Sequence, residues 1–167
     1  MKSWRASLLA CAVVVLCPLA VLAGTSTGSL TVNANVNSSC IVSSGTLSFG
    51  AYDPIVGNAS APLQQSGTFQ IQCTNGLTAT ILLGQGLNPG SGSTDSAPIR
   101  NMTNGTSQLN YQLYTTSARS TVWDNATGVS QLTTGQTQTL TVYGTIPAGQ
   151  NVTAGSYSDT VVITVNY

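Results

Sequence analysis

Ser29-Leu30-Thr31-Val32-Asn33-Ala34-Asn35-Val36-Asn37 alternates without a break. Leu30, Val32, Ala34 and Val36 take one set of positions; Thr31, Asn33, Asn35 and Asn37 take the other. Successive side chains leave a β-strand on opposite faces, so the stretch reads as a strand with one apolar and one polar face. The pattern permits two roles. The strand is either the first of its own domain or a piece that completes the sheet of a neighbouring molecule.

The same alternation recurs downstream. Residues 41–49 carry Leu47 and Phe49 two apart, and Gly50-Ala51-Tyr52-Asp53-Pro54 turns the chain away. Residues 55–67 read as a polar loop. Residues 68–73 alternate through Phe69, Ile71 and Cys73, and Asn75-Gly76 is a two-residue hairpin signal before a strand over 77–83. A Gly-, Ser-, Asn- and Pro-rich loop fills 84–98. Further strands are predicted at 99–103 (a short edge strand), 109–114, 121–123 and 137–146, with turns at Asp124-Asn125 and Pro147-Ala148-Gly149. The last strand spans 157–167 with Val161, Ile163 and Val165 on one face. Short strands separated by turn signals, with no helical period, no repeat and no dividing linker, predict a single all-β sandwich. A sandwich closing on that apolar last strand leaves an edge and a groove open to an added strand. The 29–37 segment of another subunit is a candidate to fill it.

Met1-Lys2-Ser3-Trp4-Arg5 precedes an apolar run over 6–22, and Val21-Leu22-Ala23 suits cleavage after Ala23. Residues 1–23 therefore read as a secretory signal peptide, which removes Cys11 and Cys17. No later apolar run is long enough to span a bilayer, so the mature chain is expected to stay out of the membrane. Cys40 and Cys73 remain, and an isolated pair in an exported chain reads as a disulfide. With no Cys-x-x-Cys and no His, neither a redox pair nor a zinc site is expected.

Charged residues make up only 5% of the chain. Beyond residue 23 there is no Lys, Glu or His; the charges are Arg100, Arg119, Asp53, Asp95, Asp124 and Asp159. That composition excludes a basic nucleic-acid surface and a polybasic membrane motif. Triads built on His are excluded too. The four Asp read as turn formers rather than as a catalytic carboxylate pair. Tyr111, Tyr143 and Trp123 read as core aromatics in preference to a sugar platform. The chain is not expected to be an enzyme, and no cofactor or metal is expected.

Five stretches carry a family resemblance: Cys40-Ile-Val with Leu47-Ser-Phe-Gly-Ala-Tyr-Asp-Pro54; Ile71-Gln-Cys-Thr-Asn-Gly76; Leu109-Asn-Tyr-Gln-Leu-Tyr114; Leu140-Thr-Val-Tyr-Gly-Thr-Ile-Pro-Ala-Gly-Gln150; and Ala154-Gly-Ser-Tyr-Ser-Asp-Thr-Val-Val-Ile-Thr-Val-Asn-Tyr167. In this order the chain resembles the spore coat protein U domain family, which includes the archaic, Csu-type chaperone–usher pilins. Thr145 stands where that pattern has Arg.

The resemblance implies an incomplete immunoglobulin-like β-sandwich lacking its last strand and completed by donor-strand complementation. It implies a donor segment over 24–38, with Leu30, Val32, Ala34 and Val36 as donor side chains, and a domain over 39–167. An acceptor groove is implied beside the first strand and near Val161, Ile163 and Val165. The Cys40–Cys73 pairing matches the family as well. The implied partners are neighbouring pilin subunits, a periplasmic chaperone and an outer-membrane usher. The implied role is a structural pilin of a surface fibre for adhesion and biofilm, exported through the periplasm. The alternatives are a secreted spore or cell-surface coat protein on the same domain, and a lectin-like adhesin.

Overall fold

The computed structural model describes residues 23–167. The predicted signal peptide, apart from Ala23, lies outside them. The chain divides into two units at Asn35/Val36. In the first, residues 23–35 carry no strand or helix and every side chain is exposed.

The second unit holds eight strands: β1 Cys40–Val42, β2 Leu63–Cys73, β3 Thr78–Leu83, β4 Arg100–Thr103, β5 Gln108–Tyr114, β6 Val129–Leu132, β7 Gln138–Ile146 and β8 Ile163–Asn166. They form two sheets, one ordered β1-β2-β7-β5-β4 and the other β6-β3-β8, with every pairing antiparallel. Among the described residues no helix is long and apolar enough to cross a membrane.

Alternation builds the core. β5 buries Leu109, Tyr111 and Leu113, and β7 buries Leu140, Val142, Gly144 and Ile146 on one face, while the alternate residues face outward. From the other sheet come Ala79, Ile81 and Leu83 of β3. Trp123 is 2% exposed, packs against Phe69 and donates its indole N–H to the Ile81 carbonyl at 2.8 Å. Tyr111 is likewise a core residue, whereas Tyr143 is half-buried on the outer face with the Arg119 guanidinium 5.7 Å above its ring.

Several local expectations change. The polar loop ends at Leu63 rather than residue 67, because Leu63–Gly67 is held in register by Ile146–Val142 of β7. Asn75-Gly76 does not close a hairpin, since β2 and β3 lie in different sheets. Gly76 takes φ +81°, and Thr133 ties the crossing: its carbonyl accepts from the Gly76 N–H, and its hydroxyl donates to the Thr74 carbonyl. Residues 121–123 make only a bridge at Val122, while β6, a strand that the sequence reading lacks, runs Val-Ser-Gln-Leu without apolar–polar alternation and leaves Leu132 exposed. The final strand is split. Ser158 pairs with Thr103 beside β4, and only from Ile163 does the chain join β3.

The 29–37 segment, predicted as a strand, has no assigned strand. A strand is defined by its ladder partners.

Candidate functional site

Three glycines let residues 43–49 lie directly on the inner face of the larger sheet. A Cβ on Gly67 would stand 2.3 Å from the Thr46 carbonyl oxygen, and one on Gly144 would stand 2.6 Å from the Phe49 ring. A Cβ on Gly45 would meet the Thr68 carbonyl oxygen at 2.4 Å. With those side chains absent, Leu47 and Phe49 point inward and half-bury, and Phe49 meets Tyr111 edge-on at 6.1 Å.

Opposite lies the segment from Val152 to Ile163. Between the two runs an open groove of about 1160 Å³. One wall is residues 42–52 with Pro54, the other residues 152–161 with Ile163. The floor is the core itself, including Phe69, Leu83, Leu113, Val142 and Ile146. Among the described residues β8, beside the groove, has a strand partner on one flank only, β3.

The groove is pinned at both ends. At one, the disulfide joins Cys40 to Cys73, directly opposed residues of β1 and β2. At the other, the Tyr52 hydroxyl donates to the Pro147 carbonyl at 2.8 Å and accepts from the Gln150 N–H at 3.0 Å. The Gln150 side chain then grips the β5 backbone, accepting from the Asn110 N–H at 2.8 Å and donating to its carbonyl at 2.9 Å.

Val161 and Ile163 line the groove; Val165 packs against the core but does not line it. Leu30, Val32 and Val36 are 88%, 82% and 86% exposed, and Ala34 is exposed as well.

Asp159 is a correction to the turn reading. It sits on the groove wall, accepting from the Tyr111 hydroxyl at 2.7 Å, the Leu87 N–H at 2.9 Å and the Asn88 side-chain amide at 3.2 Å. Burial, then the bond to Asp159, pushes the Tyr111 hydroxyl well above its usual range, so it stays a donor. Asp53 and Asp124 do form turns, each capping successive backbone N–H groups.

Arg100 was not singled out from sequence. It is fully buried behind the groove floor and donates to the carbonyls of Leu83, Gly84 and Trp123 and to the Gln112 side-chain oxygen. Burial pulls it down to about 10. Its only advance signal was that an arginine stood in a predicted strand. Among the described residues no three His, Cys, Asp or Glu side chains gather as metal ligands would. The site is therefore a long apolar cleft with main-chain edges, suited to holding an extended peptide.

Residues 26–164 match the Spore Coat Protein U domain. The chain belongs to that family. It is 44% identical over 155 residues to Protein U of Myxococcus xanthus, the match covering 87% of each. In shape it is similar to a chain of the CsuC–CsuE chaperone–tip adhesion subunit pre-assembly complex from archaic chaperone–usher Csu pili of Acinetobacter baumannii, with a TM-score of 0.57 at 21% identity. That match covers 79% of this chain and 40% of the other. The P pilus rod subunit PapA aligns with a TM-score of 0.51 at 16% identity, over 77% of this chain and 98% of that one. At such identities the likeness establishes the fold, which is the immunoglobulin-like sandwich of chaperone–usher pilus subunits.

Proposed function

We propose that this family member is an exported structural subunit that polymerises by donor-strand exchange into a surface pilus serving adhesion and biofilm formation. The observation that carries the reading is the groove, floored by core side chains and flanked by a strand with one open edge. An apolar cleft of this form is stabilised by an added strand, which supplies both side chains and a hydrogen-bond ladder. The exposed Leu30-to-Val36 segment has the required alternation. Burying Leu30, Val32 and Val36 would contribute roughly 1.5–3 kcal/mol each, with Ala34 adding less. Before exchange, a periplasmic chaperone would hold the groove, and an outer-membrane usher would catalyse the handover. The chaperone–subunit complex among the structural neighbours supports the first of these partners.

The test moves residues 28–37 behind Tyr167 through a short linker. The expected product is a soluble monomer that unfolds at a markedly higher temperature than the same graft carrying Ser at positions 30, 32 and 36. Equal stability of the two grafts would sink the reading.

A second reading is a coat protein assembled on the same domain without a pilus. The match to the Spore Coat Protein U domain, by its name, favours it. Fibres seen by electron microscopy on the producing cell, lost when a neighbouring usher gene is deleted, would decide for the pilus.

A further inference from the structure

Along the groove wall the inward-facing residues are Tyr157, Asp159, Val161 and Ile163, all half-buried, while Ser158, Thr160 and Val162 are exposed. The wall is thus interrupted at one step by a carboxylate. That carboxylate is fixed: Tyr111, Leu87 and Asn88 hold it from the core side. A Cβ on Gly86 would stand 2.1 Å from its Oδ2, so the loop closes tightly behind it. The 30–36 segment has a matching order of large, large, small, large. A branched aliphatic side chain laid on Asp159 would strip water from its remaining lone pairs without replacing it, whereas an alanine methyl leaves them wet.

We propose that Asp159 sets the register of the incoming strand. The 30–36 segment of a second copy pairs antiparallel to residues 157–163, with Ala34 opposite Asp159, Leu30 opposite Ile163, Val32 opposite Val161 and Val36 opposite Tyr157. This inference rests on the donor-strand reading. Sliding the donor by two residues puts Val32 or Val36 on the carboxylate. Parallel pairing that keeps Ala34 on Asp159 drops Leu30 onto Gly155. The antiparallel register also brings Gly28 to Val165, which does not line the groove, so at the Leu30 end the donor's apolar face stops where the groove does.

The test uses polymers of the full mature chain with Thr31→Cys combined in turn with Val162→Cys, Ser156→Cys, Thr160→Cys or Thr164→Cys. These probe the proposed register, the parallel one and the two slides. The Val162 carbonyl is turned to the Gly84 N–H, so its pair with position 31 is a non-hydrogen-bonded one, the closer kind. After mild oxidation, the Thr31–Val162 pair should give a covalent ladder on a non-reducing gel at least about tenfold stronger than any other pair. A stronger ladder from another pair, or none from any pair in intact polymers, overturns the register and leaves polymerisation standing. Absence of polymers from the parent chain removes both. Independently, Ala34→Leu should cut polymer yield about tenfold, and Asp159→Ala should restore it to within about twofold. An unrelieved loss also overturns the proposal.

Discussion

The Tyr111 hydroxyl donates to Oδ2 of Asp159 at 2.7 Å, tying the middle of β5 to the groove wall across the sandwich. Tyr111→Phe keeps the ring packing against Phe49 and removes one of the donors that immobilise the carboxylate. A hydrogen bond to a charged group contributes about 1.5–3 kcal/mol, reduced where water reaches it as on this half-exposed wall. We expect a loss of about 1–2 kcal/mol in urea denaturation of the self-complemented monomer.

Arg100 should tolerate substitution far less. It satisfies the buried carbonyls of Leu83 and Trp123 and the half-buried one of Gly84. Arg100→Met fills much of the volume and strands those acceptors, each costing about 1–3 kcal/mol. A loss of at least about 3 kcal/mol is expected by thermal or urea unfolding. Arg100→Lys should recover little, since an ammonium lacks the planar fork that serves diverging acceptors.

These two residues mark where the sequence was hardest to read. Strict period-two runs such as residues 109–114 and 137–146 were legible, because one face is core and the other solvent. The strand partners were not: Asn75-Gly76 has the chemistry of a tight turn, but whether a turn pairs its flanking strands or passes them to opposite sheets depends on distant residues such as Thr133. At the site, Val161 and Ile163 were readable as alternating apolar positions. Asp159 was not, since its role comes from Tyr111, Leu87 and Asn88, which lie up to 72 positions away.

The disulfide closes a loop between positions 33 apart and fixes β1 at the mouth of the groove. In the chain-entropy account such a crosslink stabilises by about 3–4 kcal/mol. Cys40→Ala with Cys73→Ala should lower stability by that amount in urea, and the same loss should follow reduction of the parent chain.

Acid should weaken the domain through its turn carboxylates. Burial pushes Asp124 up, but the N–H groups of Thr127, Gly128 and Ala126, with the charge of Arg100, outweigh it and hold the carboxyl below its usual range. A carboxyl held lower in the folded state than in the unfolded one contributes stability that is present above the unfolded value of about 3.9. That contribution is lost as pH falls through the folded value. Melting temperature should therefore fall below about pH 4, and Asp124→Asn, which keeps the accepting oxygen, should show a shallower acid loss.

Gly67 offers the sharpest separation of wall geometry from general stability. Its missing side chain is what allows residues 46 and 47 to lie on β2: a Cβ there would stand 2.3 Å from the Thr46 carbonyl oxygen and 2.8 Å from the Leu47 Cβ. Both contacts are with the backbone or the root of a side chain, so neither can be relieved by rotating a flexible tip. Gly67→Ala must therefore lift the wall away from the sheet and change the shape of the cleft. Overpacking of this kind costs about 1–3 kcal/mol. Gly57→Ala is the control, because its Cβ would meet only the Asp53 Cβ at an ordinary 3.8 Å. The control should unfold within about 0.5 kcal/mol of the parent and polymerise normally. Gly67→Ala should be destabilised and, at temperatures where it is still folded, should form fewer polymers, because a displaced Leu47 no longer closes over an inserted strand.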